Sequence, residues 1–298
     1  MTQVRNFADD TTFYACDKDL NTLINRLEHD TALAVEWFEN NFMKLNQDKC
    51  HLLVSGHKYE TVWAKIGATK IWESDKQKLL GVVIDRNLNF DEYVFDLCKK
   101  AGRKLSVLAR LTNYMSFEKK RILLKAFVES QFGYCPLTWM FHGRKANSKI
   151  NHIHERALRI VYKNNDLSFD ELLELDKSFT IHHRNLQSLA IELFKVRNNL
   201  SVTIMNDIFQ PRVLNYNLRS QTDFARPNAR SEHFGINSLR YMSAKVWDMV
   251  PNELKNINDL EIFKNNIRKW KPVDCHCKLC RDYIFSLGYI NPSSLSCS

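Results

Sequence analysis

Residues 1–15, MTQVRNFADDTTFYA, decide how the chain is read. Met1 to Phe7 reads as a short strand, Ala8-Asp9-Asp10 as a turn, and Thr11 to Ala15 as the returning strand. Two adjacent carboxylates at a hairpin tip are hard oxygen donors. Such donors suit divalent metal, and two metals can stabilise the attacking and leaving oxygens of an in-line nucleotidyl transfer. An aromatic residue, a spacer and two aspartates is a short pattern, so it needs context. A folded domain seldom begins in mid-hairpin, and the sequence is expected to be part of a longer one.

Working outward, Leu20, Ile24, Leu27, Val35, Phe38 and Phe42 fall on one helical stripe, with Asp19 or Asn21 available as cap. Strands are expected at Cys50–Ser55, Thr61–Ile66 and Lys78–Ile84. The last is apolar from Leu79 to Ile84 and suited to burial. Residues 1–90 therefore read as the α/β remainder of a larger domain. From Asp91 the period becomes helical, with Val94, Leu97, Cys98, Ala101, Leu105 and Leu108 on one face and Asp91 as cap. Further helices are expected from Ser116 to about Phe132, over Ala146–Lys163 and over Phe179–Leu200. Ser168-x-x-Glu171 forms a capping box. Residues 91–200 thus form a helical region. In the remainder, 201–298, residues 201–231 with Pro211 and Pro227 read as a long connection, followed by helices at Ser238–Met249 and Asp259–Trp270. The fold class expected is α+β.

Lys plus Arg number 43 and Asp plus Glu 34, a formal charge of +9. The surplus is local: from Lys99 to Lys125 there are nine basic residues against Glu118 alone. Lys99, Lys100, Arg103, Lys104 and Arg110 share one helix. Such an excess fits a polyanion, most commonly nucleic acid, or else a solvated helix face. No apolar run reaches membrane-spanning length, and the N-terminus lacks a secretory signal pattern. Eight scattered Cys fit a reducing intracellular setting, the nucleus included. No phosphate-cradling glycine loop is present.

The Asp-Asp turn is followed in order by Trp37-Phe38-Glu39-Asn40-Asn41-Phe42-Met43-Lys44-Leu45-Asn46-Gln47-Asp48-Lys49-Cys50 and by Lys78-Leu79-Leu80-Gly81-Val82-Val83-Ile84-Asp85. This series resembles the reverse transcriptases of non-LTR, jockey-like retrotransposons. There an aromatic-Ala-Asp-Asp turn precedes a helix, a W…N-x-L-x-L-N-x-x-K segment and a K-x-L-G-V-x-I-D hairpin. Leu239 to Pro251, with Lys245 and Trp247, resembles the R-x-x-x-x-K-x-W-N-x-L-P segment near the C-terminus of these elements.

The resemblance implies a palm end with its Asp-Asp turn and primer-grip hairpin, then a helical thumb and C-terminal region. Asp9 would be a magnesium ligand and Asp10 its supporting carboxylate. Lys49 would sit near departing pyrophosphate, the alternative being a surface lysine. Leu80 and Gly81 would form the primer grip, the alternative being an ordinary buried strand. The partners implied are an RNA template, a DNA primer and, in the intact parent, deoxynucleotides. The family needs a further aspartate and fingers upstream, which Asp17 and Asp19 do not replace, so this fragment is expected not to polymerise alone. The alternative is a non-catalytic nucleic-acid-binding remnant. Cys275, Cys277 and Cys280 supply three thiols where zinc prefers four ligands, so packed or exposed thiols are favoured over a zinc site. His152 and His154, two apart on a helix, point in different directions and are rejected as a metal pair. His182 and His183 are read as helix surface.

Overall fold

The computed structural model describes residues 2–56, 61–141, 143–212, 223–272 and Leu279. The chain forms two compact units, Met1–Phe90 and Asp91–Ser298. Short antiparallel strand pairs lie in the first, and the second is helical, so the architecture is mixed α+β.

The first unit contains β1 (Gln3–Phe7), β2 (Asp10–Tyr14), α1 (Leu20–Asn40), β3 (Trp63–Ile66), β4 (Thr69–Trp72), β5 (Lys76–Leu79) and β6 (Val82–Asp85). Consecutive strands pair as three separate antiparallel hairpins. Asp19 starts α1 by accepting the Thr22 N–H at 2.7 Å, satisfying one of the donors a helix N-terminus leaves open. Leu20, Ile24 and Leu27 then pack against Leu52, Val54, Val62, Ala64 and Ile71. The Glu28 carboxylate accepts the Lys65 N–H at 2.6 Å, fixing α1 against β3.

Three expectations need correction here. Cys50–Ser55 is an extended run with one parallel bridge, Leu52 to Glu73, because Leu52 and Val54 alternate into the core without a partner strand alongside. Lys78–Ile84 is not one buried strand. It folds back at Leu80-Gly81, whose φ angles of 46° and 85° make a two-residue hairpin turn. The stripe on α1 ends before Phe42, which takes φ 58° and is fully exposed.

The second unit comprises α2 (Asp91–Leu111), α3 (Phe117–Leu123), α4 (Pro136–Trp139), α5 (Arg144–Tyr162), α6 (Phe169–Asp176), α7 (Ile181–Arg197), α8 (Thr203–Ile208), α9 (Leu239–Met249), α10 (Asn252–Lys255) and α11 (Leu260–Ile267). The apolar stripe of α2 is buried at Val94, Leu97, Cys98, Ala101, Leu105 and Leu108. The helix expected through Phe132 is α-helical only to Leu123. A wider π turn then runs Leu124–Val128 and a 3-10 turn Glu129–Phe132. Both halves of the Ser168–Glu171 capping box are made. The 201–231 stretch is not a plain connection: it carries α8, and Phe209 and Phe224 are buried in the core. His182, read as surface, is 5% exposed, because α7 is buried on nearly all sides.

Residues on both sides of position 200 share one core. Phe194 of α7 stacks on Phe263 of α11 at 4.2 Å, and Phe224 meets Trp247 of α9 edge-on at 5.6 Å. The buried Trp247 indole donates to Asp223 Oδ2 at 2.6 Å, so its polar tip is satisfied and its body fills the core.

A buried polar cluster ties the other helices. Arg184 of α7 makes a two-pronged ion pair with Glu129, one prong at 2.5 Å and the other at 2.9 Å. His154 Nε2 of α5 lies 3.4 Å from the same carboxylate. Burial alone would raise the Glu129 carboxyl, but the nearby His154 ring and the two hydrogen bonds from Arg184 outweigh it and hold the group at about 2. Burial pushes His154 below its ordinary value despite the Glu129 carboxylate 3.4 Å away. Nearby, Arg121 of α3 donates to Asp176 of α6 at 2.8 Å, and the Tyr162 hydroxyl donates to the same carboxylate at 2.8 Å.

These shifts fix the sign of the acid response. The folded value of Glu129 lies below its ordinary 4.5, so its stabilisation is complete above that pH and is lost as pH falls towards about 2. His154 acts in the same direction, since its neutral form is the one the fold accommodates. Acidification should therefore cost the second unit on the order of 3 kcal/mol through Glu129. Thermal melts by circular dichroism from pH 7 to pH 2 should show this loss. Glu129→Gln should lower the melting temperature at pH 7, by leaving Arg184 without its counter-charge, and flatten the acid limb. An unchanged acid limb in that variant would remove Glu129 as its cause.

Candidate nucleotidyl-transfer turn and nucleic-acid interface

The Asp-Asp turn sits at the tip of the β1–β2 hairpin. Phe7 pairs with Asp10, leaving Ala8 and Asp9 as the two turn residues. Ala8 has φ 54°, a conformation in which glycine is usual, so the turn holds an L-residue at a cost of about 1–2 kcal/mol. Asp9 and Asp10 are both exposed. The hairpin displays them as adjacent carboxylates, and Phe7 beside them is 65% exposed.

Asp17 and Asp19, next along the chain, are occupied otherwise. Backbone N–H groups of Asp19 and Lys18, with the Arg26 guanidinium, hold the Asp17 carboxyl below its ordinary range. The hydroxyl and backbone N–H of Thr22 do the same for Asp19. Among the described residues no three His, Cys, Asp or Glu side chains gather where a metal could sit. The donor set at the turn is two carboxylates, which falls short of the oxygen shell magnesium takes, so no chemical step is derived through a metal here. Cys275, Cys277 and Cys280 lie outside the described residues. His152 is exposed and His154 buried, so the two do not converge.

Lys49 is exposed in the single 3-10 turn Gln47–Lys49, on a different element from the aspartates. That turn is tied to the β3–β4 hairpin by the Thr69 hydroxyl, which donates to Gln47. Leu80 and Gly81 form the exposed tip of the β5–β6 hairpin. Both central residues carry positive φ, the type I′ arrangement in which Asn-Gly is preferred. The continuous apolar run around them masked this turn; the glycine was the available signal.

Of the nine basic residues between Lys99 and Lys125, two are withdrawn by the fold. Lys120 is 7% exposed, and Arg121 is committed to Asp176. Lys99, Lys100, Arg103 and Lys104 are all exposed on α2. At about 100° per residue they follow round the helix in the order Lys99, Arg103, Lys100, Lys104, over an arc of about 140°. Tyr114, at the turn after α2, is 87% exposed, an aromatic whose exposure the sequence did not signal.

Comparison with known proteins returns no matching family, no matching curated protein and no matching solved structure. Among the described residues no helix is long and apolar enough to cross a membrane.

The strain at the second tip is open to test. Leu80→Asn should raise the melting temperature, since asparagine tolerates the left-handed region that leucine enters at a cost of about 1 kcal/mol. Gly81→Ala should lower it by a similar amount. Differential scanning calorimetry checks both. A drop on Leu80→Asn would mean that the leucine side chain contributes more in packing than its backbone costs.

Proposed function

We propose that the chain is a piece of an RNA-directed DNA polymerase of a mobile element, the palm end and the helical region that follows it. The observation that carries this reading is an ordered series. An exposed Asp9-Asp10 pair caps a two-residue hairpin, a long helix follows, and a second hairpin turns on Leu80-Gly81. In the parent reaction a primer 3′ hydroxyl attacks the α-phosphate of a deoxynucleotide on an RNA template, and pyrophosphate leaves. Asp9 and Asp10 are the residues proposed to serve that reaction as metal ligands, and Lys49 the one proposed to meet the leaving phosphates. Magnesium is the ion the parent would use. Leu80 and Gly81 are proposed to touch the primer.

A second reading is favoured by the donor set. Among the described residues no third carboxylate gathers with these two, which leaves them short of a nucleotidyl-transfer site, while α2 and its neighbours expose a dense basic surface. On this reading the present activity is non-catalytic binding of nucleic acid, through phosphate contacts that release counterions and depend little on sequence. The two readings describe ancestry and present activity.

The test uses the 298-residue chain with a primed RNA template and magnesium. No primer extension above an Asp9→Ala, Asp10→Ala control is expected. Binding of the same primer–template by fluorescence anisotropy is expected, with affinity falling steeply as salt rises. Extension that depends on Asp9 and Asp10 would overturn the non-catalytic reading. A folded chain with no affinity for the duplex at low salt would overturn both.

A further inference from the structure

The basic cluster on α2 has a counterpart on α5, which the local charge count from Lys99 to Lys125 does not reach. Helices α2 and α5 run side by side in the same direction. Their N-termini meet at Asp91 and Gly143, where a side chain on Gly143 would come within 2.9 Å of Asp91 Oδ1. Further along, Lys149 Nζ of α5 stands 4.0 Å from the centre of the Phe95 ring of α2. Phe95 and Lys149 therefore mark one level of a seam between two parallel helices.

Helical geometry extends the seam from that point. On α5, Lys145, His152 and Arg156 all lie within about 60° of Lys149. On α2, Lys99 stands about 40° and Arg103 about 80° round from Phe95, whereas Lys100 and Lys104 stand about 140° and 180° round. Arg156 lies about 10 Å beyond Lys149, and Arg103 about 12 Å beyond Phe95, so the two guanidinium groups stand at nearly one level. Between them is Gly102, where a Cβ would meet nothing within 4 Å. Lys99, Arg103, Lys145, Lys149 and Arg156 are all exposed. Of the acids along the seam, Asp96 pairs with Lys99 at 3.3 Å and Glu155 with Arg159 at 2.7 Å, while Asp91 and Glu92 stand at its N-terminal end. The Lys99 pair is exposed and therefore weak, so a phosphate can displace it.

We infer that the α2–α5 seam is a phosphate track for a nucleic-acid duplex, lined by Lys99 and Arg103 on one side and Lys145, Lys149 and Arg156 on the other, with Lys100 and Lys104 lying off it. The inference rests on the nucleic-acid reading above and changes which residues carry it. Two rows of cations on parallel helices, with an open glycine between them, match a run of phosphates along one strand. A scattered basic surface would have no such direction. The Phe95 ring holds the Lys149 ammonium itself at the seam, which lowers the entropy lost on binding.

The test measures anisotropy of a labelled RNA–DNA hybrid over a salt series, with circular dichroism to confirm folding. Lys145→Gln, Lys149→Gln, Arg156→Gln should weaken binding at least tenfold. It should also flatten the log–log salt slope by about 0.9 for each phosphate no longer neutralised. Lys100→Gln, Lys104→Gln should change affinity less than threefold. The charge-keeping variant Lys145→Arg, Lys149→Arg, Arg156→Lys should bind as the parent does. If the parent binds but the α5 variant binds equally, or the Lys100 and Lys104 variant loses as much, the track is wrong and the nucleic-acid reading survives. If the parent binds no hybrid at any salt, both fail. Tighter binding of the parent to phosphatidylserine vesicles than to the hybrid would assign the seam to a membrane surface and overturn the inference.

Discussion

A single carboxylate, Glu129, sets the arrangement of helices in the second unit. It accepts both prongs of Arg184 on α7 and lies beside His154 on α5, while its own segment continues α3. Three elements distant in sequence are thus held at one point. A buried charge of this kind is costly unless its partners are in place, so the geometry is all or nothing. The helical pitch is irregular at that point: a π turn ends just before Glu129 and a 3-10 turn begins on it. A regular helix would have carried the same residue to a different angle.

That arrangement also sorts the basic residues. Arg121 and Arg184 face inward to Asp176 and Glu129, and Lys120 is buried with them. Planar guanidinium groups suit such two-pronged partnerships, and they are used up there. Exposed cations remain on α2 and α5, and at Lys119 and Lys125. Because α5 is held by His154 and by its apolar face, its opposite face is left to solvent, with Lys145, Lys149 and Arg156 on it. On these two helices the exposed cations make surface contacts, Lys99 with Asp96 and Lys149 with the Phe95 ring.

Much of the helical framework was legible from spacing and caps. Asp19, Ser168 and Ser238 begin helices as their residue types demand, with side-chain oxygens accepting backbone N–H groups. The apolar stripe of α2 reads directly into its buried residues. Failures came where local rules are overridden. Leu80 enters the left-handed region that leucine avoids, so an apolar run hid a turn. Phe209 and Phe224 anchor a stretch that periodicity could not assign. Counting charges between Lys99 and Lys125 treated Lys120 and Arg121 as free, since a linear count carries no information on which arginine faces Asp176. For the candidate site, the Asp9-Asp10 turn was visible in the sequence, whereas the pairing of α2 with α5 needed the structure.

The two hairpin tips share a property that bears on what they are for. Ala8 and Leu80 both hold positive φ where glycine or asparagine would relieve the strain. Neither tip is buried, so packing does not compel the residue: Leu80 is 42% exposed and Phe7, next to Ala8, is 65% exposed. A fold selected for stability alone would place Asn-Gly at such turns. Strained, exposed tips that carry a carboxylate pair in one case and an apolar side chain in the other are what contact with a ligand would retain. The compact core of the first unit, built on Leu52, Val54, Val62, Ala64 and Ile71, is small for that burden. Burial does not offset the strain at either tip, because both are exposed.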